Sequence, residues 1–135
     1  MRCPNKGEEY IYLYVENQAN WNNITYKYAN YDNQAYLADY AGYSTVTEDT
    51  ERNIKDAIRD IKEILKRNYT GKQHPQKTDL QYWVTMSCRD ALATIHVKSG
   101  KDVDSYVYNA FLSFEEAKIL RDKIVKVLIK YNLIN

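Results

Sequence analysis

The apolar period of this chain switches from about two to about 3.6 residues twice over, in the same order each time. That switch confines it to a layered α+β fold. Residues 9–15 alternate strictly, with Ile11, Leu13 and Val15 on one face of a strand and Tyr10, Tyr12 and Tyr14 on the other. Residues 17–22 read as a turn-rich loop carrying Trp21. Residues 23–29 read as a second strand, with Ile24, Tyr26 and Tyr28 on a common face and Thr25 and Lys27 directed away. Tyr31-Asp32-Asn33 supplies turn chemistry. Residues 34–40 and 41–46 give one or two further strands.

The period then lengthens. Ile54, Ala57, Ile58, Ile61, Ile64 and Leu65 recur at helical spacing and form one stripe of a helix over about 47–69. Thr47 is placed to cap it. Glu48, Asp49 and Glu51 lie in its first turn and Lys66 and Arg67 in its last, each where the helix dipole favours that sign.

A polar loop over 70–79, holding Gly71 and Pro75, precedes the same progression again. Residues 80–87 alternate, with Leu80, Tyr82, Val84 and Met86 together. Cys88-Arg89-Asp90 is expected to turn the chain and 91–97 to run back. Ser99-Gly100-Lys101-Asp102 is expected to turn it once more, with a positive φ at the glycine, and 103–111 to form a third strand. Ser113-Phe114-Glu115-Glu116 has the spacing of a capping box, and Ala117, Leu120, Ile124, Val127, Leu128 and Tyr131 make the stripe of a helix over about 113–131. A shift of 66 residues sets Thr47 on Ser113, Tyr40 on Tyr106, Ile54 on Leu120, Ile58 on Ile124 and Ile61 on Val127. The expectation is a single α+β domain over 1–135, mostly antiparallel sheet with both amphipathic helices on one face. A ββ(β)α pseudo-repeat would divide it into halves 9–69 and 80–133.

A chain of 135 residues can bury a core without staples. It contains no apolar run long enough to span a bilayer, and its first nine residues lack the apolar stretch of a signal peptide. Its two cysteines, Cys3 and Cys88, do not make a disulfide framework. A soluble, cytoplasmic protein is therefore expected, with no membrane partner.

Enzymatic chemistry needs a constellation, and none is legible. Gly71-Lys72 and Gly100-Lys101 lack the upstream glycine of a phosphate loop. His74, His96 and Cys88 have no local ligand spacing, so no metal and no cofactor is expected. Cys88 beside Arg89 is the one thiol with a feature that would lower its pKa. A tight hairpin about Arg89 would put His96 near Gln81, out of its reach.

Two surfaces remain. Tyrosine outnumbers phenylalanine 14 to 2, and nine of the 14 lie in the first 43 residues. Residues 1–51 carry three basic and eight acidic side chains, net −5, whereas 52–77 carry eight and three, net +5. If the helices cover the aliphatic face of the first strand, its tyrosine row looks outward. Tyr10, Tyr12, Tyr14, Asp32, Tyr36, Asp39 and Tyr40 would then form an acidic aromatic contact surface for a protein. The competing surface is basic. Lys55, Arg59, Lys62, Lys66 and Arg67 form a helical ridge, extended by Lys72 and Lys77, that could meet phosphates with a tyrosine platform beside it. A near-neutral pI of about 7.7 weighs against that alternative. The Asn, Tyr, Lys and Ile usage points to an AT-rich genome, as in low-GC bacteria and their phages and plasmids. The expectation is a non-enzymatic protein-binding module, an inhibitor or accessory factor of a phage or mobile element that blocks a host protein. A homodimer is left open.

Overall fold

The opening alternation becomes strand β1 (Glu9–Glu16), and β2 (Asn20–Asn30) returns antiparallel beside it, Leu13 opposite Tyr26 and Tyr12 opposite Lys27. A computed structural model describes residues 3–32, 41–46, 48–68, 76–89, 92–102 and 109–134. Asn17 and Gln18 make the tight turn at positive φ, 53° and 60°. The strand therefore starts three residues earlier than expected. Trp21 is a fully buried strand residue, not a loop residue. Strand β3 (Ala41–Ser44) pairs with the other side of β1, which gives the order β2-β1-β3. The strand expected over 34–40 lies outside the described residues. Helix α1 (Glu48–Asn68) follows, with its isoleucine stripe facing in and Lys66 and Arg67 in its last turn. The Thr47 cap lies outside the described residues.

The second half repeats this plan. Strands β4 (Gln81–Arg89), β5 (Leu92–Gly100) and β6 (Ala110–Phe111) form a second antiparallel sheet in the order β5-β4-β6, and helix α2 (Phe114–Lys130) follows. In both halves the third strand lies beside the first. Ser113 caps α2 by accepting from the Glu116 N–H at 3.2 Å. Two turns differ from expectation. β4 runs on through Cys88 to Arg89, which pairs with Leu92, so Cys88 lies in the strand. Gly100 is also a strand residue, and the positive φ falls on Asp102 (54°). The glycine answers a packing need: a Cβ there would stand 3.3 Å from the Trp83 ring.

The antiparallel layer is thus two three-stranded sheets, and a loop from the first completes the second. The Gln18 carbonyl accepts from the Met86 N–H at 2.9 Å and from the Thr85 hydroxyl at 3.0 Å. The Trp21 indole N–H donates to the Val84 carbonyl at 2.9 Å. The β1–β2 turn therefore occupies the edge of β4 beyond β6 and leaves fewer backbone groups to be solvated. One apolar core joins both halves. It contains Ile11, Leu13, Trp21, Ile24 and Tyr43, then Ile54 and Ile61 of α1, Val84 and Met86 of β4, and Leu120, Ile124 and Leu128 of α2. The helices meet where the Tyr131 hydroxyl donates to Asp60 at 2.6 Å. Past α2 the chain tucks in, with Leu133 buried and its carbonyl accepting from the Tyr43 hydroxyl at 2.9 Å. Among the described residues no helix is long and apolar enough to cross a membrane.

Candidate interaction surfaces

The pleat of β1 places Tyr10, Tyr12 and Tyr14 on the face away from α1, as the alternation requires. That face is not open. Tyr10 and Tyr12 are buried and form a small second core, with Cys3, Tyr14, Ala29 and Tyr31 packed against them. Their rings lie 5.8 Å apart. The expectation of an outward tyrosine row is corrected for these two. A face with apolar area is solvent-exposed only if no other segment folds over it, and the chain before β1 and after β2 does so. Tyr14 is partly buried, with the Lys27 ammonium 4.2 Å from its ring centre. Asp32 is exposed. Tyr36, Asp39 and Tyr40 lie outside the described residues.

Tyr26 and Tyr28 line the opposite face of β2, beside α1. Tyr26 packs against the core, while Tyr28 is 55% exposed, and the rings meet edge to face. The Lys55 ammonium pairs with Glu51 at 2.7 Å and lies 5.6 Å from the Tyr26 ring centre. Hydrogen bonding to Glu51, aided by partial burial, raises the Tyr28 hydroxyl above its ordinary pKa. The bond to Lys55, then that to Tyr28, holds Glu51 below its own.

The basic ridge of α1 is largely neutralised by its own helix. Lys55 is paired with Glu51, Arg59 with Asp56 and Asp60, and Arg67 with Glu63. Such pairs, three of them at one-turn spacing, are what a solvated helix face carries. A phosphate would have to displace them. Lys62 and Lys66 are exposed on the same helix, and Lys77 is exposed in the turn before β4, where its carbonyl accepts from the Asp102 N–H. Lys72 and His74 lie outside the described residues.

Cys88 and His96 point to opposite faces of the second sheet. Cys88 pairs with Ala93 on the core side, and His96 pairs with Thr85 on the other. His96 sits opposite Thr85 rather than near Gln81 because the turn is centred after Arg89. Its Nε2 is 3.5 Å from the Ser87 hydroxyl, and burial, then Lys98 and Arg121, lowers its pKa. Among the described residues no carboxylate orients the other ring nitrogen, as a nucleophile–base pair would require. Nor do three or more His, Cys, Asp or Glu side chains gather there as metal ligands would.

Besides Tyr28 and Val46 (69% exposed) in the first half, the exposed large apolar side chains among the described residues lie in the second half. Leu80 (44% exposed), Leu112 (45%) and Phe114 (48%) bracket the Tyr82–Phe111 pair of β4 and β6 in the chain, next to the starts of β4 and α2. The partly buried Tyr82 meets Phe114 edge to face, ring centres 6.2 Å apart. Ile119 and Ile129 lie further along α2 and are half-exposed. The signal was present in the sequence: α2 has more apolar residues than one stripe can hold, and Phe114, Ile119 and Ile129 fall outside it. No family model, no curated protein and no solved structure matches this chain.

Proposed function

We propose that this chain is a non-enzymatic protein-binding module whose contact surface is the apolar patch of Leu80, Tyr82, Leu112 and Phe114. The observation that carries it is the Tyr82–Phe114 ring contact, with Leu80, Leu112 and Phe114 44–48% exposed in the segments on either side of the Tyr82–Phe111 strand pair. Tyr82 and Phe114 are held edge to face by a strand and a capped helix. A partner therefore meets ordered rings and loses little side-chain entropy in doing so. Asp79, Glu115 and Glu116 are chain neighbours of these residues and put acidic side chains beside them. The finer part of the proposal, an inhibitor or accessory factor of a phage or mobile element acting on a host protein, draws its support from chain size and residue usage.

A tagged chain recovered from host lysate, with and without nuclease, tests the proposal. A partner protein is expected to survive nuclease and to be lost with Leu80→Ser and Phe114→Ser together, at a nearly unchanged melting temperature. Retention of the partner by that variant refutes the patch as its contact. Recovery that disappears with nuclease would instead favour the Lys62 and Lys66 side of α1 and nucleic acid.

A further inference from the structure

We propose that the outer face of α2 is a self-complementary surface that pairs two copies of this chain antiparallel about a two-fold axis. The buried residues Ala117, Leu120, Ile124 and Leu128 define the inner face of the helix. Directly opposite, at 3-4-3 spacing, lie Ile119, Asp122, Lys126 and Ile129. Ile119 is 52% and Ile129 50% exposed, and the Asp122 side chain is 48% exposed. Lys126 is exposed and has no carboxylate partner among the described residues. Arg121 holds one carboxylate oxygen of Asp122, through hydrogen bonds of 2.7 and 3.1 Å to Oδ1, which leaves Oδ2 for a partner.

The order Ile-Asp-Lys-Ile has a property that a random solvated face lacks. Both the isoleucine pair and the charged pair are centred on residue 124. An antiparallel copy with its axis beside residue 124 therefore sets Ile119 on the second copy's Ile129, and Asp122 on its Lys126. The two-fold then repeats both contacts. A parallel copy in register would set Asp on Asp and Lys on Lys. The spacing is that of the seam by which two helices pack side by side. Lys118 and Lys130 flank the seam and face like charge across it, which makes the pairing weaker at low salt. Lys130 is partly engaged by Asp60 of its own chain at 3.7 Å. On the α1 ridge Lys55, Arg59 and Arg67 are each engaged by a carboxylate of their own helix.

The test is sedimentation equilibrium of the full chain over a series from low to high micromolar, for the wild type and four variants. A monomer–dimer equilibrium is expected. Asp122→Lys and Lys126→Asp each turn two attractive contacts into two repulsive ones, so each should weaken the dimer about tenfold or more. The double variant Asp122→Lys/Lys126→Asp restores both contacts and should return to within about threefold of the wild type. Ile119→Lys should give monomer at every concentration. The three substituted positions lie on the outer face of the helix, and circular dichroism confirms that each variant is folded. A wild type that stays monomeric throughout overturns the proposal. So does a dimer that Ile119→Lys leaves intact, or a double variant no better than the single ones.

Discussion

Replacing Trp21 by phenylalanine tests whether the two halves are one cooperative unit. Trp21 is fully buried in the first half, and its indole N–H reaches the Val84 carbonyl of the second at 2.9 Å. Phenylalanine keeps an aromatic ring but cannot donate, so a buried carbonyl loses its partner at a cost of about 1–2 kcal/mol. The smaller ring leaves a void, for a further cost of about 1–2 kcal/mol. The total is about 3 kcal/mol. With an unfolding entropy of about 2.1 cal/mol/K per residue, a 135-residue chain has about 0.28 kcal/mol/K, so the melting temperature should fall by about 10 °C. The variant also leaves Trp83 as the sole tryptophan, a reporter on the second half. Thermal and urea unfolding followed by Trp83 fluorescence and by far-ultraviolet circular dichroism should give one coincident transition, destabilised throughout. A fall below about 3 °C, or separate transitions by the two probes, would refute the reading that this contact and the shared core bind the halves together.

Tyr43→Phe removes the buried hydroxyl that holds the Leu133 carbonyl. Stability should drop by about 1–2 kcal/mol, and hydrogen exchange should quicken in the turn after α2 while β1 and β4 stay protected; a uniform quickening would contradict that. At Asp60, burial acts to raise the pKa, but the Tyr131 hydroxyl, Arg59 and Lys130 together outweigh it and hold the carboxyl below its ordinary value. Its folded pKa is depressed, so its contribution is full above the unfolded carboxyl pKa of about 3.9 and is lost as pH falls through the lower folded value. Asp60→Asn should therefore flatten the acid limb of the stability curve and leave its shape near neutrality unchanged. An acid limb identical to wild type would remove Asp60 from the account.

Much of the layout was legible because its causes are local. Ser113 and the acids behind it mark the start of α2 wherever the helix ends up, and the isoleucine spacing of α1 dictates a stripe before anything covers it. Ile11, Leu13 and Val15 likewise face one way because a strand alternates. The repeated order of elements could be read for the same reason, and the matching strand orders of the two sheets extend it. The turn after β4 was misplaced by about a residue, because Cys88-Arg89-Asp90 and Arg89 to Leu92 differ little in turn chemistry. Only the pairing of Val84 with Val97 and Met86 with Ile95 selects the register.

The candidate surfaces divide along the same line. The sequence by itself determined that Tyr10 and Tyr12 share a face, that the α1 cations sit one turn from carboxylates, and that α2 has apolar residues beyond its stripe. Tertiary structure alone decided that the tyrosine face is covered by the segments flanking the β1–β2 hairpin. It also decided that Phe114 of α2 meets Tyr82 of β4, and that the β1–β2 turn completes the edge of β4. The physical reason is range. Periodicity says which side chains point the same way, but exposure depends on which distant segment folds over them, and that is settled by the competition of the whole chain for buried area.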